Sequence, residues 1–210
     1  MPRETVLHKV RTALGRSVGQ APAAAPEARL RIPAVDLEAR LSSFLRRIEE
    51  LAGKTHRAAT PEEARAYVEG VVAGRPAVAS RAGFLRECGI TALPSVRTGF
   101  TSAAELRAAC VAADFGITSA DYALADTGTL VLLSSPEEAR MISLLPPAHL
   151  AVLPRDRILT GLDELFTRLP RPAEQTSSMV LVTGPSRTAD IEQILVRGVH
   201  GPGEIHVIVV

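Results

Sequence analysis

The chain has 210 residues, 46% of them hydrophobic and 22% charged, which is ordinary globular composition with enough chain to bury a core. Its 24 basic and 23 acidic residues nearly cancel, aromatics are 3% and Trp is absent, so the concentrated positive footprint and the stacking platform of a nucleic-acid binder are both missing. No apolar run approaches the ~18 residues of a membrane span and no signal-peptide pattern opens the chain, so a cytoplasmic location without a membrane partner is expected.

Taken in chain order, Leu7, Val10 and Leu14 predict a short helix over 4–15, stopped at Gly15. An Ala- and Pro-rich linker follows over 19–33. Leu37, Leu41, Phe44, Leu45, Ile48 and Leu51 form one apolar stripe, predicting a helix over 36–52 with Gly53 just beyond it. Residues 1–53 therefore read as an N-terminal helical arm and linker, mildly basic in charge, and 54–210 as the main domain. The 36–52 helix is either a docking element on a tether or a cover for the chain's own core.

From residue 54 the pattern alternates. A strand over 54–59 precedes the capping box Thr60-Pro61-Glu62-Glu63, which opens a helix to about 73. A strand over 77–80 precedes a second capping box, Ser102 to Glu105, and its helix to about 111. Strands follow at 129–134, 150–153, 179–183 and 204–210. Helices are predicted from Ser135-Pro136-Glu137-Glu138, over 162–169 and over 188–196. The strands are continuous apolar runs, which suits a sheet covered on both faces. Such alternation predicts an α/β fold with a mostly parallel sheet.

The two cysteines, Cys88 and Cys110, are too few for a four-cysteine zinc or iron–sulfur site and read most simply as small core residues. Neither Lys9 nor Lys54 lies in a phosphate-binding P-loop, and no dinucleotide fingerprint follows a predicted strand.

Ligands of open α/β sheets bind outside the carboxyl ends of the strands, so polar density at strand-to-loop junctions marks candidate chemistry. Three segments carry it. In Gly116–Thr129, Asp121 and Asp126 are candidates for general-base or cation work, and Thr127, Gly128 and Thr129 can bring backbone N–H groups to an anion; the same residues make a good turn. In Leu144–His149, a Pro-Pro pair leads to His149, an acid–base candidate or a structural imidazole, with Arg140 upstream as an anion partner or a solvated cation. In Val182–Glu192, Gly184, Ser186 and Thr188 would open the 188–196 helix and present its free N–H groups to an anion, with Arg187 as a clamp and Glu192 in an early turn. The same residues also read as a plain cap. His200, in the glycine-rich turn that follows, is a further candidate; His206 reads as structural.

Together the strings Gly116–Leu130, Ser143–His149, Gly184–Glu192 and Gly198–Pro202 resemble the lactate utilization protein C family, the stand-alone form of the LUD domain, over about residues 110–210. The resemblance implies a three-layer α/β/α sandwich like that of sugar-phosphate isomerases and CoA transferases. It also implies a part in oxidising L-lactate to pyruvate with iron–sulfur partner proteins. On this reading the chain is an accessory subunit with no cofactor of its own, the clusters belonging to its partners, and its cleft takes a small carboxylate or phosphate-like anion. The family commonly carries Glu where this chain has Asp126, which keeps the charge and shortens the reach. Two rival readings stand beside it. One is an independent enzyme of the CoA transferase/isomerase-like superfamily with Asp126 or Glu192 as nucleophile. The other is a non-catalytic structural or regulatory subunit.

Overall fold

The computed structural model describes residues 2–21, 30–191 and 194–210. The chain divides into two compact units, Met1–Leu30 and Arg31–Val210. The first carries α1 (Arg3–Ala13), none of whose residues is buried. The second opens with α2 (Leu37–Glu50), β1 (Lys54–Arg57), α3 (Pro61–Val72), β2 (Ala77–Ala79), α4 (Gly83–Glu87), β3 (Val96–Arg97), α5 (Ala103–Ala112), β4 (Phe115–Ser119), β5 (Tyr122–Leu124) and β6 (Thr129–Leu133). It continues with α6 (Arg140–Leu144), β7 (Ala148–Leu153), β8 (Ile158–Leu159), α7 (Leu162–Arg168), α8 (Pro172–Gln175), β9 (Met179–Val182), β10 (Arg187–Ile191), β11 (Ile194–Arg197) and β12 (Glu204–Val209).

The central sheet has six strands in the order β1-β12-β7-β4-β2-β3, and all its pairings are parallel. One face buries Phe115, Ile117, Leu150, Val152 and Ile208 against Ala64, Val68 and Val72 of α3 and Leu85 of α4. The other carries Ala151, Leu153, Ile205 and Val207 and is covered by Leu41, Phe44 and Ile48 of α2 together with a second sheet, β8-β5-β6-β9. Helices α5 and α6 cover the rest of that face over Val78. The fold is thus α/β with a parallel sheet between two layers, one of them a mixture of helices and a smaller sheet.

Two helices begin where their capping boxes predict, and α2 has a cap of the same kind. Asp36 accepts from the Ala39 N–H, Thr60 from Glu63 and Ser102 from Glu105. Four expectations are corrected. The larger unit begins at Arg31, so the 53/54 division falls inside it: α2 is part of the body, because its stripe is the cover for the sheet and leaves no apolar face for docking. Ser135-Pro136-Glu137-Glu138 closes a turn, with the Ser135 hydroxyl accepting from the Glu137 and Glu138 N–H groups, and the helix waits until Arg140. Within the 188–196 stretch, the described residues 188–191 and 194–196 belong to the antiparallel strands β10 and β11, not to a helix. Gly116–Ser119 is an inner strand, not a loop, because Gly116 allows α6 to lie on β4: a Cβ there would sit 1.8 Å from the Ile142 carbonyl oxygen.

Candidate functional site

The sheet register builds the floor of the site. Gly116 and Ile205 lie beside His149 in the neighbouring strands, and residues two apart share a face, so Thr118 and His149 point the same way. The Thr118 hydroxyl and His149 Nε2 are 2.8 Å apart. His149 is fully buried, and its Nδ1 has no protein partner. Burial without a compensating charge pushes the imidazole down to about 4, so it is neutral at pH 7.

Above His149 opens a cleft of about 300 Å³. Arg140 and Ser143 of α6 form one wall and Val180–Val182 of β9 another, while Thr183, Gly184, Ser186 and Arg187 form the rim with His200, Gly201 and Pro202. The cleft therefore lies at the amino ends of β7 and β12, not at the carboxyl ends of the parallel strands as expected, because the smaller sheet brings the carboxyl end of β9 over them. Two guanidinium groups and no carboxylate line it, among the described residues. Both histidines singled out from the sequence line it too.

The rim is held from below by α2. Gly184, with φ +81°, lies so close that a Cβ there would be 3.0 Å from Leu51 Cβ, and the Arg187 guanidinium donates to the Leu51 carbonyl at the end of that helix. The placement suits the helix macrodipole, whose negative end lies there. Gly128, with φ +66°, packs on the same helix: a Cβ would meet Arg47 Cβ at 2.6 Å. Thr127, Thr129 and Thr183 form a chain of hydroxyls with 2.8 Å links, which ties the Asp-Thr-Gly-Thr turn to the cleft edge. Ser186 is pinned from three sides. Its N–H donates to Pro202, its carbonyl accepts from Gly198, and its hydroxyl accepts from the His200 N–H at 3.3 Å.

The hairpin removes the helix N-terminus expected to bind an anion. Arg187 and Ser186 remain at the cleft as side chains, while Thr188 falls in β10. Glu192 lies outside the described residues. Asp126 does not reach the cleft; it borders a separate cavity of about 330 Å³ with Arg31, Thr160, Gly161 and Asp163. Asp121 accepts from the Leu133 N–H at 2.7 Å, and burial raises its carboxyl, partly offset by that bond and by Arg157. Sequence reasoning missed Glu138, which is 8% exposed, because it reads as the last residue of a capping box. Burial pushes its carboxyl up to about 8. Cys88 and Cys110 are buried, unlinked and in different core clusters. Among the described residues no group of three or more His, Cys, Asp or Glu is arranged to hold a metal ion.

The LUD domain model matches residues 41–210. The chain belongs to the LUD domain family. The match starts inside α2, in keeping with that helix forming part of the body. Among curated proteins, LUD relatives named lactate utilization protein C are similar over part of the chain. The one from Halalkalibacterium halodurans is 44% identical over 94 residues, covering 43% of this chain and 41% of its own length. That of Oceanobacillus iheyensis is 36% identical over 102 residues, covering 47% and 44%. The matched stretch spans less than half the length of these relatives. The crystal structure of a DUF162 family protein from Deinococcus radiodurans superposes with a TM-score of 0.65 at 20% identity, covering 84% of this chain and 99% of that one, and shares its fold. No helix among the described residues is long and apolar enough to cross a membrane.

Proposed function

We propose that this chain is an accessory component of a lactate-utilisation system, in which it binds a small carboxylate while iron–sulfur partner proteins take the electrons as L-lactate becomes pyruvate. The observation that carries this reading is the cleft. Arg140 and Arg187 offer charge-assisted donors to a carboxylate, and His149 offers one neutral nitrogen, Nδ1, to a hydroxyl or carbonyl oxygen beside it. Nδ1 can serve either oxygen, because a neutral imidazole is a donor or an acceptor according to tautomer. Similarity to proteins named for lactate utilization supports the substrate class. Removing electrons from a 2-hydroxy acid needs an acceptor, and two cysteines in separate clusters do not make a four-thiolate centre, so the acceptor is assigned to the partners.

The test is calorimetric titration of the full chain with L-lactate, pyruvate and acetate. L-Lactate and pyruvate are expected to bind more tightly than acetate, and Arg187→Ala and Arg140→Ala each to weaken them by roughly tenfold, the scale of one charge-assisted pair. Binding that is indifferent to both arginines would overturn the site. In parallel, a deletion strain complemented with the gene should grow on L-lactate, and with Arg187→Ala should grow poorly on L-lactate but normally on pyruvate.

A further inference from the structure

Glu138 sits where two chain directions part. From β2 the chain moves outward to β3, and from β4 it moves inward to β7, so the carboxyl ends of β2 and β4 flank the topological switch point of the sheet. Glu138 Oε2 accepts from the Ser119 N–H at the end of β4, at 3.3 Å, and the Ser80 hydroxyl just past β2 partly offsets the effect of burial on the carboxyl. Its other oxygen, Oε1, is buried without a partner, and so is the Ser134 hydroxyl. Both residues line one narrow void of about 10 Å³, whose wall includes Arg140 and Ser143. That volume is the room one water needs, and the lining is polar enough to hold it. Arg140 and Ser143 also line the main cleft. From the turn at Glu138, at the carboxyl end of β4, the chain runs back along that strand through α6 to Ile142 beside Gly116, and Arg140 and Ser143 of that helix line both the void and the cleft.

We propose that Glu138 is a positioning residue of the anion cleft, joined through one buried water to Ser134 and to Arg140, and that its protonation decides whether the Arg140 guanidinium faces the ligand. This rests on the reading of the cleft as an anion site. While the carboxyl is neutral it does not compete for Arg140, and the guanidinium serves the cleft. Once ionised, a carboxylate behind the wall draws the guanidinium back and also repels an anion in front of it. Both effects weaken binding, in the pH range to which burial has moved the group, near 8. The groups that act on Glu138 are Asp121, which raises its affinity for the proton, and Ser80 and Ser119; Ser134 and Arg140 share the void with it, and the Arg140 guanidinium donates to the Ser178 hydroxyl at 3.2 Å. Arg157 faces Asp121 in turn, and Arg81 touches the turn only through its N–H on the Glu137 carbonyl.

The experiment titrates the full chain with sulfate and, separately, with L-lactate from pH 6.5 to 9.5, a range over which neither probe changes charge. The wild type is expected to lose affinity about fivefold or more through a midpoint near 8, a typical coupling between two sites. Glu138→Gln should hold the wild-type affinity of neutral pH throughout; every other residue is unchanged in it, so any other effect of pH subtracts. A parallel loss in both proteins overturns the proposal. Sulfate binding with this profile but no L-lactate binding would sink the lactate reading and leave this one standing. If neither anion binds, or the variant does not fold, side-chain NMR of the wild type decides. A carboxyl signal titrating near 8, with the Arg140 Nε resonance following the same midpoint, supports the coupling. An ordinary carboxyl midpoint, or an Arg140 signal that ignores it, refutes it.

Discussion

Glu138 and His149 are moved in opposite directions by one cause, burial of a polar atom that no protein group satisfies. Their effects on stability have opposite signs and different windows. The folded chain holds the Glu138 proton from the ordinary 4.5 up to about 8, so this group costs stability increasingly as pH rises through that range. His149, ordinarily near 6.5 and about 4 when folded, costs stability as pH falls from 6.5 towards 4. Between pH 6.5 and 8 only the first of these two acts. Thermal unfolding of the wild type should therefore move to lower temperature across that interval, and Glu138→Gln should abolish the drift; identical slopes would show that the carboxyl is ionised in the folded chain. A second residue-scale prediction concerns Gly128. Its φ is +66°, and an added methyl would sit 2.6 Å from Arg47 Cβ, so Gly128→Ala combines backbone strain with a clash against α2. It should destabilise by about 2 kcal/mol or more, measured by urea unfolding.

At the scale of elements, α2 joins the core to the site. Leu41, Phe44 and Ile48 cover the sheet, while the end of the same helix receives Gly184 and Arg187. Phe44→Ala is expected to cost about 3–5 kcal/mol, a buried aromatic lost from a packed interface, and to weaken anion binding through the displaced rim. Calorimetry and ligand titration of the same variant check both. This helix is plain from its 3.6-residue stripe and the Gly53 just beyond it. The stretch 188–196 is not: Ser186-Arg187-Thr188 with Asp190 has every local mark of a helix start, and tertiary pairing of β10 with β11 overrides it. Phe115–Ser119 hides for a different reason. Its glycine and hydroxyl residues look like a turn, and they are required because α6 lies against Gly116 and His149 bonds Thr118. Arg187, Ser186, His149 and His200, singled out at their junctions, all line the one cleft. Glu138 is not, because a buried carboxyl at a capping-box position carries no local sign of its burial.

For the whole molecule, the two units make a simple expectation. A chain lacking residues 1–30 should unfold cooperatively at close to the parent temperature, since the core clusters all lie in Arg31–Val210. A chain lacking residues 1–53 should expose the sheet face that α2 covers and bind hydrophobic dyes; a well-folded product would show that α2 is dispensable. The alternation of strands and helices reveals the parallel sheet, whereas the mixed outer layer depends on short strands, such as Ile158–Leu159, too brief for a sequence pattern to register.

The position of β12 has a consequence for how the molecule is made. It lies between β1 and β7, yet 150 residues separate Lys54 from its neighbour Glu204. At ordinary translation speed β1 emerges from the ribosome roughly 10–30 s before the strand that joins it to the sheet. Throughout that interval β1 has no strand to pair with, and α2 and α3 have only part of their sheet to cover. The nascent chain therefore keeps these apolar faces open until its synthesis has passed β12, and a product truncated before that point would leave β1 cut off from the other four strands of the sheet.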